Sequence, residues 1–278
     1  MRPTEPVLYE THSHTPLCKH AVGEPEEYAQ VAFDRRLRGH TVTCHNPMPN
    51  GYYSDVRMAV DEFETYLDGV RRAQVAWEGR VDVRLGLECD YFPGYESWLE
   101  QQVTSVDFDY VLGSIHTISD EFKAKFWNGD AVQFQRAYFE QLAAAAETGF
   151  FDCLSHPDLV KNQVSESWHP ERILGDIRRA LDRIAVTGIA MELNTSGANK
   201  KIREMNPFPE MLREMHTRGI PVVVGSDAHT PTRVGDRFDE ALALLADCGY
   251  DRVNFFIGHT RQEVMIDDAR ASLVVAEV

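Results

Sequence analysis

Two hydrophobic rhythms alternate along the chain. Short apolar runs bounded by polar or turn residues read as buried strands, at 7–9, 41–45, 83–89, 108–115, 151–154, 189–193, 222–224 and 253–257. Between them lie segments whose apolar residues recur every three or four positions, the mark of a helix with one buried face. The longest has apolar residues at 56, 59, 60, 63, 66, 67, 70, 73 and 77, which predicts a single helix over 56–77. Further helices are predicted over 24–37, with Pro25 near the start and Gly39 past the end, and over 131–148, 171–186, 209–216 and 239–245; Gly149, Gly188, Gly219 and Gly249 follow these four. Strand and helix in strict alternation, with no linker, repeat or low-complexity tract, predict a parallel α/β barrel or wound sheet in one domain. At 278 residues the chain has the size of a single barrel.

The strand ends carry the chemistry. In a parallel barrel the site lies at the C-terminal ends of the strands. Those ends hold His12 and His14, His45, Glu88, His116, His156, Glu192 with Asn194, and Asp227 with His229, while His20 follows in the first loop. His12 and His14 are two apart in an extended run, so both imidazoles point to one side. Seven of the 11 histidines fall at these places; His40, His169, His216 and His259 fall elsewhere. One strand-end histidine is usually a hydrogen-bonded structural residue, but seven beside ionisable carboxylates fit a metal centre better. Imidazoles and carboxylates suit divalent Zn, Mn or Fe. His12, His14, His20, His45, Glu88, His116, His156, Asp227 and His229 exceed the needs of one ion and fit two or three, with Glu88 as a bridge. Such a centre suits phosphoryl chemistry, in which a bridging hydroxide attacks phosphorus while a neighbouring ion steadies the leaving oxygen.

Charge narrows the partners. With 28 Lys+Arg against 44 Asp+Glu the formal charge is −16, a sign that repels nucleic-acid phosphates, so no DNA or RNA track is expected. No run approaches the roughly 20 apolar residues of a membrane span, and the N-terminus lacks the apolar core of a signal peptide, so a cytoplasmic protein acting on a small phosphorylated molecule is expected. Cys18, Cys44, Cys89, Cys153 and Cys248 are odd in number and form no C-x-x-C pair, which predicts reduced thiols packed as small apolar groups.

The ordered motifs H-S-H at 12–14, His20, C-H-N-P at 44–47, G-L-E at 86–88, G-S-I-H at 113–116, S-H-P-D at 155–158, E-L-N-T-S-G at 192–197 and G-S-D-A-H at 225–229 resemble the PHP superfamily, named for polymerase and histidinol phosphatase. The first loop H-T-P-L-C-K-H, the N-P-M-P segment and D-Y-V-L-G-S are most similar to its stand-alone histidinol-phosphate phosphatases. The resemblance implies a distorted (β/α)7 TIM-like barrel, with residues 1–278 forming one PHP-type metal-dependent phosphoesterase domain. It implies three divalent ions: one on His12, His14, Glu88 and Asp227, a second on Glu88, His116 and His156, a third on His20, His45 and His229. Glu88, Asp227 and His229 would be the catalytic members. The implied reaction is hydrolysis of L-histidinol phosphate to L-histidinol and phosphate, in histidine biosynthesis. Two positions depart from the pattern: Cys44 stands where relatives often carry an acidic residue, and Asn199 where several carry a phosphate-binding Arg. Lys161, Lys200, Lys201, Arg203 and Arg233 are the cations that could substitute, with Asn194 a further substrate contact. The alternatives are a nucleotide or other small phosphate ester as substrate, or an inactive module, against which the complete ligand set argues.

Overall fold

The computed structural model describes residues 5–273. Nine strands follow one another in sequence order around the sheet: β1 Tyr9–Glu10, β2 Gly39–Val42, β3 Asp82–Asp90, β4 Tyr110–Ser114, β5 Cys153–Leu154, β6 Ala190–Asn194, β7 Val222–Gly225, β8 Arg252–Ile257 and β9 Thr260–Met265. Neighbours from β1 to β8 are parallel, and only β8 with β9 is antiparallel. The first seven strands close on themselves: Ser13 bridges Ala228, with the His14 N–H donating to Ala228 O at 2.9 Å and the Ala228 N–H to His12 O at 3.0 Å. The result is the expected distorted seven-stranded barrel.

The last strand has a different place from the one its apolar run suggests. β8 pairs with β7 through the Val223–Asn254 register alone, and turns with β9 into a hairpin that plugs the N-terminal end of the barrel. Phe255 stacks on Tyr9 and Phe256 on Tyr110; Phe256 completes an interior cluster of Tyr110, Leu112, Cys153, Ala190 and Val223. The hairpin turn is held by Asp109, which accepts the Gly258 and His259 N–H groups. With that end stopped by aromatic rings, the opposite mouth is the one left for a site.

Among the described residues ten helices wrap the sheet: α1 Pro25–Asp34, α2 Phe63–Trp77, α3 Glu96–Val103, α4 Asp120–Phe126, α5 Ala131–Glu147, α6 Val160–Gln163, α7 Leu174–Thr187, α8 Pro209–Thr217, α9 Phe238–Asp247 and α10 Ile266–Leu273. Their buried faces bring residues such as Tyr28, Leu67, Phe139, Leu181, Leu212 and Leu242 against the strands. The helix predicted over 56–77 begins only at Phe63, after two 3-10 turns at Ser54–Val56 and Val60–Glu62. The cause is Arg57, whose backbone is extended at φ −144° and ψ 159° so that its guanidinium turns inward, where only 2% of the residue stays exposed.

Candidate metal centre

All nine proposed ligands stand at the C-terminal mouth, and Glu88 is in the middle of them. Its two carboxylate oxygens face different groups. Oε2 lies 2.8 Å from His45 Nδ1, 3.4 Å from His12 Nε2 and 3.6 Å from His14 Nε2. Oε1 lies 3.1 Å from His156 Nε2 and 3.7 Å from His116 Nε2, and accepts the Ser114 hydroxyl at 2.6 Å. Asp227 divides similarly: Oδ1 is 3.1 Å from His14 Nε2, while Oδ2 accepts from Ser196 Oγ at 3.0 Å and from Lys200 Nζ at 3.5 Å. The His14 and His229 rings stack with centroids 4.0 Å apart, and His20 sits 4.4 Å from His229. His14 thereby joins two ligand groups, with His12 and Asp227 on one side and His45 and His229 on the other.

Most of the imidazoles are oriented by a partner on the nitrogen turned away from the centre, as metal-ligating histidines require. Glu192 Oε1 is 2.8 Å from His12 Nδ1, Cys18 O is 2.7 Å from His20 Nδ1, Asp227 O is 3.0 Å from His229 Nδ1, and Asp90 holds His116 Nδ1. The opposite nitrogens of His12 and His229 are then left buried without a hydrogen bond, as are His45 Nδ1 and Glu88 Oε2. The last two lie 2.8 Å apart and still form no directed hydrogen bond. Buried polar atoms are rarely left so. The residues present fit divalent ions.

Charge agrees with that fit. Burial would raise the Glu88 carboxyl, but the His45 and His12 imidazoles hold it well below the usual range; His12 and Lys200 do the same for Asp227. Burial keeps His45 neutral down to about 4 and His229 to about 2, and lowers His20 and His156 as well. Burial also opposes protonation of His12 and His14, yet Glu192 and Glu88 push the former well up, and Asp227 helps carry the latter to about 9. Ionised carboxylates thus draw positive charge into a cluster where four imidazoles are held neutral, a demand that divalent ions meet well.

Two ligand positions are strained. His156 has φ 26° and Asp227 φ 52°, left-handed values that non-glycine residues rarely adopt and that collect at functional sites. Gly225 allows the close packing beneath: a Cβ there would collide with Glu192 Oε1 and His12 Cβ.

Seven of the nine proposed ligands, all but His12 and His14, line a cavity of about 140 Å³ whose wall also includes Tyr53, Val56, Leu159 and Lys200. A larger hollow of about 590 Å³ lies among Arg38, Arg80 and Arg84 and contains none of these groups. Of the cations predicted to hold phosphate, only Lys200 lines the site cavity. Lys161 is fully buried, its Nζ donating to Asp158, Glu204 and Met205 O, so it is a structural ion pair rather than a substrate contact. Arg203 opens onto a separate hollow with Ala198, Asn199 and Arg237, and Lys201 is exposed. Arg233 pairs with Asp236 at 3.0 Å, and with the Asn199 amide turned to satisfy both, Asn199 Oδ1 accepts from Arg233 Nη1 at 3.1 Å. Asn194 is buried and spends its amide within the protein, donating to Glu192 and accepting from Ser196, so it is a support for the ligands and not a substrate contact. His40, though away from the mouth, bonds Ser13 Oγ at 2.6 Å, directly beneath His12 and His14.

Several functional neighbours escaped the sequence reading. Asp90 is two residues beyond Glu88 and so on the same face of β3, a spacing that could have revealed it. Arg57 gave no such signal: it donates to Asp90 Oδ2 at 2.5 Å, Asn46 O at 2.9 Å and Tyr53 O at 3.1 Å, tying the connection between β2 and α2 to the end of β3. Burial would raise Asp90, but Arg57 and His116 hold it ionised.

A parallel barrel with imidazoles and carboxylates gathered at its C-terminal mouth defines a metal-dependent hydrolase. The PHP domain profile matches residues 10–196. The chain belongs to the PHP domain family. It is 40% identical over 254 residues to the "Probable histidinol-phosphatase" of Deinococcus radiodurans, covering 89% of this chain and 96% of that one. It is 26% identical over 266 residues to the "Histidinol-phosphatase" of Bacillus subtilis, covering 85% of this chain and 98% of that protein. Among solved structures, histidinol phosphate phosphatase of Lactococcus lactis complexed with zinc, L-histidinol and phosphate superposes with a TM-score of 0.77 at 17% identity, over 92% of this chain and 98% of that one, a likeness of fold. Among the described residues no helix is long and apolar enough to cross a membrane.

Proposed function

We propose that this chain is a single PHP-type phosphoesterase domain that hydrolyses L-histidinol phosphate to L-histidinol and inorganic phosphate, with three divalent ions, zinc the first choice, held at the barrel mouth. The observation that carries the reading is the two-faced Glu88 carboxylate, with three imidazoles on one oxygen and two on the other. His12, His14, Glu88 and Asp227 would hold one ion, Glu88, His116 and His156 a second, and His20, His45 and His229 a third. When bound, such ions activate water at neutral pH and neutralise charge on the phosphoryl oxygens.

The protein's own groups do the rest. Lys200, 3.5 Å from Asp227 Oδ2, places a cation on the cavity wall where a phosphate oxygen can replace that carboxylate contact. Ser196 fixes the Asp227 carboxylate so that Oδ1 stays turned to His14. Tyr53, Val56 and Leu159 give the cavity an apolar rim against which the imidazole end of the substrate can rest.

A substrate panel on metal-analysed enzyme tests the reading. Histidinol phosphate should exceed an aryl phosphate by at least ~10²-fold in kcat/KM, because binding of the remote imidazole lowers the barrier at phosphorus. Equal efficiency on the two would indicate a broad phosphatase, and a nucleotide or diester turned over faster would overturn the assignment.

A further inference from the structure

We propose a second, thiolate-based metal site behind the mouth: Cys18 Sγ, Cys44 Sγ and His14 Nδ1 bind one thiophilic divalent ion, such as cadmium, mercury or surplus zinc. The three donor atoms lie within 4.8 Å of one another, and all three residues are buried. Donors on one tetrahedral ion, roughly 2.0–2.3 Å from it, lie about 3.5–3.8 Å apart, so shifts of at most about 1 Å bring these three onto a single ion.

The two nitrogens of His14 serve opposite sides. Nε2 faces the mouth, 3.1 Å from Asp227 Oδ1 and 3.6 Å from Glu88 Oε2. Nδ1 is buried with no nitrogen or oxygen partner, and the group beside it is Cys44. His12, His20, His116 and His229 have their outward nitrogens tied to a carboxylate or carbonyl, whereas that of His14 faces sulfur. On the far side of Cys44, the Thr15 N–H and hydroxyl both donate to Sγ, at 3.5 and 3.2 Å. Donors converging on sulfur offset the negative charge that sulfur carries as a metal ligand. Two thiolates with one imidazole select soft ions, in contrast to the nitrogen and oxygen set at the mouth.

Cys18 also supplies the way in. Its Sγ lies within 4.8 Å of ligand atoms of both His20 and His229, and His20 is exposed, so an ion can pass from the cavity to Cys18 and then inward. Binding replaces three protons, two from S–H and one from His14 Nδ1–H, which go to solvent, by two S–metal bonds and one N–metal bond; no electrons change hands. His14 would then carry an ion on each nitrogen or release the one at Nε2, so the second site draws on a residue the mouth also needs. Soft ions should therefore inhibit by filling this site, whatever phosphate ester the enzyme hydrolyses.

The experiment adds cadmium stepwise to the zinc-loaded holoenzyme and follows the ultraviolet thiolate-to-cadmium charge-transfer band. One equivalent per chain should saturate the band, with activity falling in step. Cys18→Ser and Cys44→Ser should each abolish it and raise the cadmium needed for half-inhibition by at least ~tenfold, the scale on which lost metal contacts weaken affinity, whereas Cys248→Ser should behave as wild type. A band that survives both serine variants overturns the proposal. X-ray absorption at the cadmium edge on the wild-type protein decides independently of how the variants fold: two sulfur neighbours are expected, and a shell of only nitrogen and oxygen refutes the site.

Discussion

Replacing Glu88 by Gln exchanges one oxygen for an amide nitrogen and removes one charge, and the surroundings dictate which oxygen is lost. On the Oε1 side Ser114 donates its hydroxyl at 2.6 Å and is itself bonded to Ser155 Oγ at 2.6 Å. Hydroxyls can turn and accept, so the amide nitrogen should seat there. The oxygen stays with His45, His12 and His14. The loss then falls on the ion that His116 and His156 would hold. Removing one charged contact costs about 1.5–3 kcal/mol, or roughly 10- to 100-fold in affinity for that ion. An ion at 100-fold over its Kd adds about 2.7 kcal/mol to the folded state, and at its Kd only about 0.4 kcal/mol. The difference of about 2.3 kcal/mol, at roughly 2–4 °C per kcal/mol for a chain somewhat smaller than this one, lowers Tm by ~5–9 °C. Elemental analysis after desalting, calorimetry and steady-state kinetics on the same sample should give one ion fewer, that fall in Tm and a kcat lower by at least ~10²-fold. With chelator present, the two proteins should melt closer together. A variant that keeps its ions and turnover refutes the bridging role, and a gap in Tm that persists undiminished under chelation would make Glu88 a folding residue instead.

Lys200→Ala should lose roughly 10- to 100-fold in kcat/KM, the scale of a hydrogen bond to a charged group, with its metal content intact. Lys201→Ala and Arg203→Ala should stay within about threefold of wild type; a larger loss at Arg203 would move the phosphate to the neighbouring hollow. His40 is buried and kept neutral down to about 3, so as pH falls below ~6.5 the unfolded chain takes up its proton first, and stability is lost at about 1.4 kcal/mol per unit until the folded pKa is reached. Urea unfolding of chelated protein at pH 7 and pH 5 should show this drop in wild type and less of it in His40→Gln; equal drops would exclude His40 as the acid-sensitive group.

The cluster at the mouth was legible because its residues are written at strand ends, where residue type and position coincide. Lys161 was misread for the opposite reason: its loop follows S-H-P-D and looks exposed, but its partners Glu204 and Met205 come from the segment after β6, more than 40 residues away. Arg57 was invisible because an inward guanidinium breaks the helical rhythm only in three dimensions, through Asp90 33 residues on. The same turn explains why apolar periodicity extended the α2 helix too far toward the N-terminus. β9 was missed because its T-R-Q-E-V-M run is largely exposed and offers little apolar alternation to count, and the β8 run alone could not distinguish a barrel stave from a plug. The phosphate contact could only be narrowed by geometry, since five cations close in sequence to the motifs differ in which way their side chains can reach.

The carboxylate that was read at a strand end but not as a ligand explains how the strained mouth is held. Glu192 accepts the His156 N–H at 2.8 Å and the Asn194 amide at 2.9 Å through Oε2, while Oε1 is 2.8 Å from His12 Nδ1. It therefore fixes the backbone of His156 and the ring of His12, which follow β5 and β1, strands that are not neighbours in the sheet. Burial would raise its pKa, but His12 and His156 keep it low, so the charge that orients both is present at neutral pH. His156 can stay at φ 26° because its N–H is held by that carboxylate and its carbonyl accepts the Tyr138 hydroxyl at 3.0 Å. Asp90, gripped by Arg57, does the corresponding work for His116. Rings and backbone are thus set by groups that need not touch an ion, so the order of the mouth is supplied in large part by the fold itself.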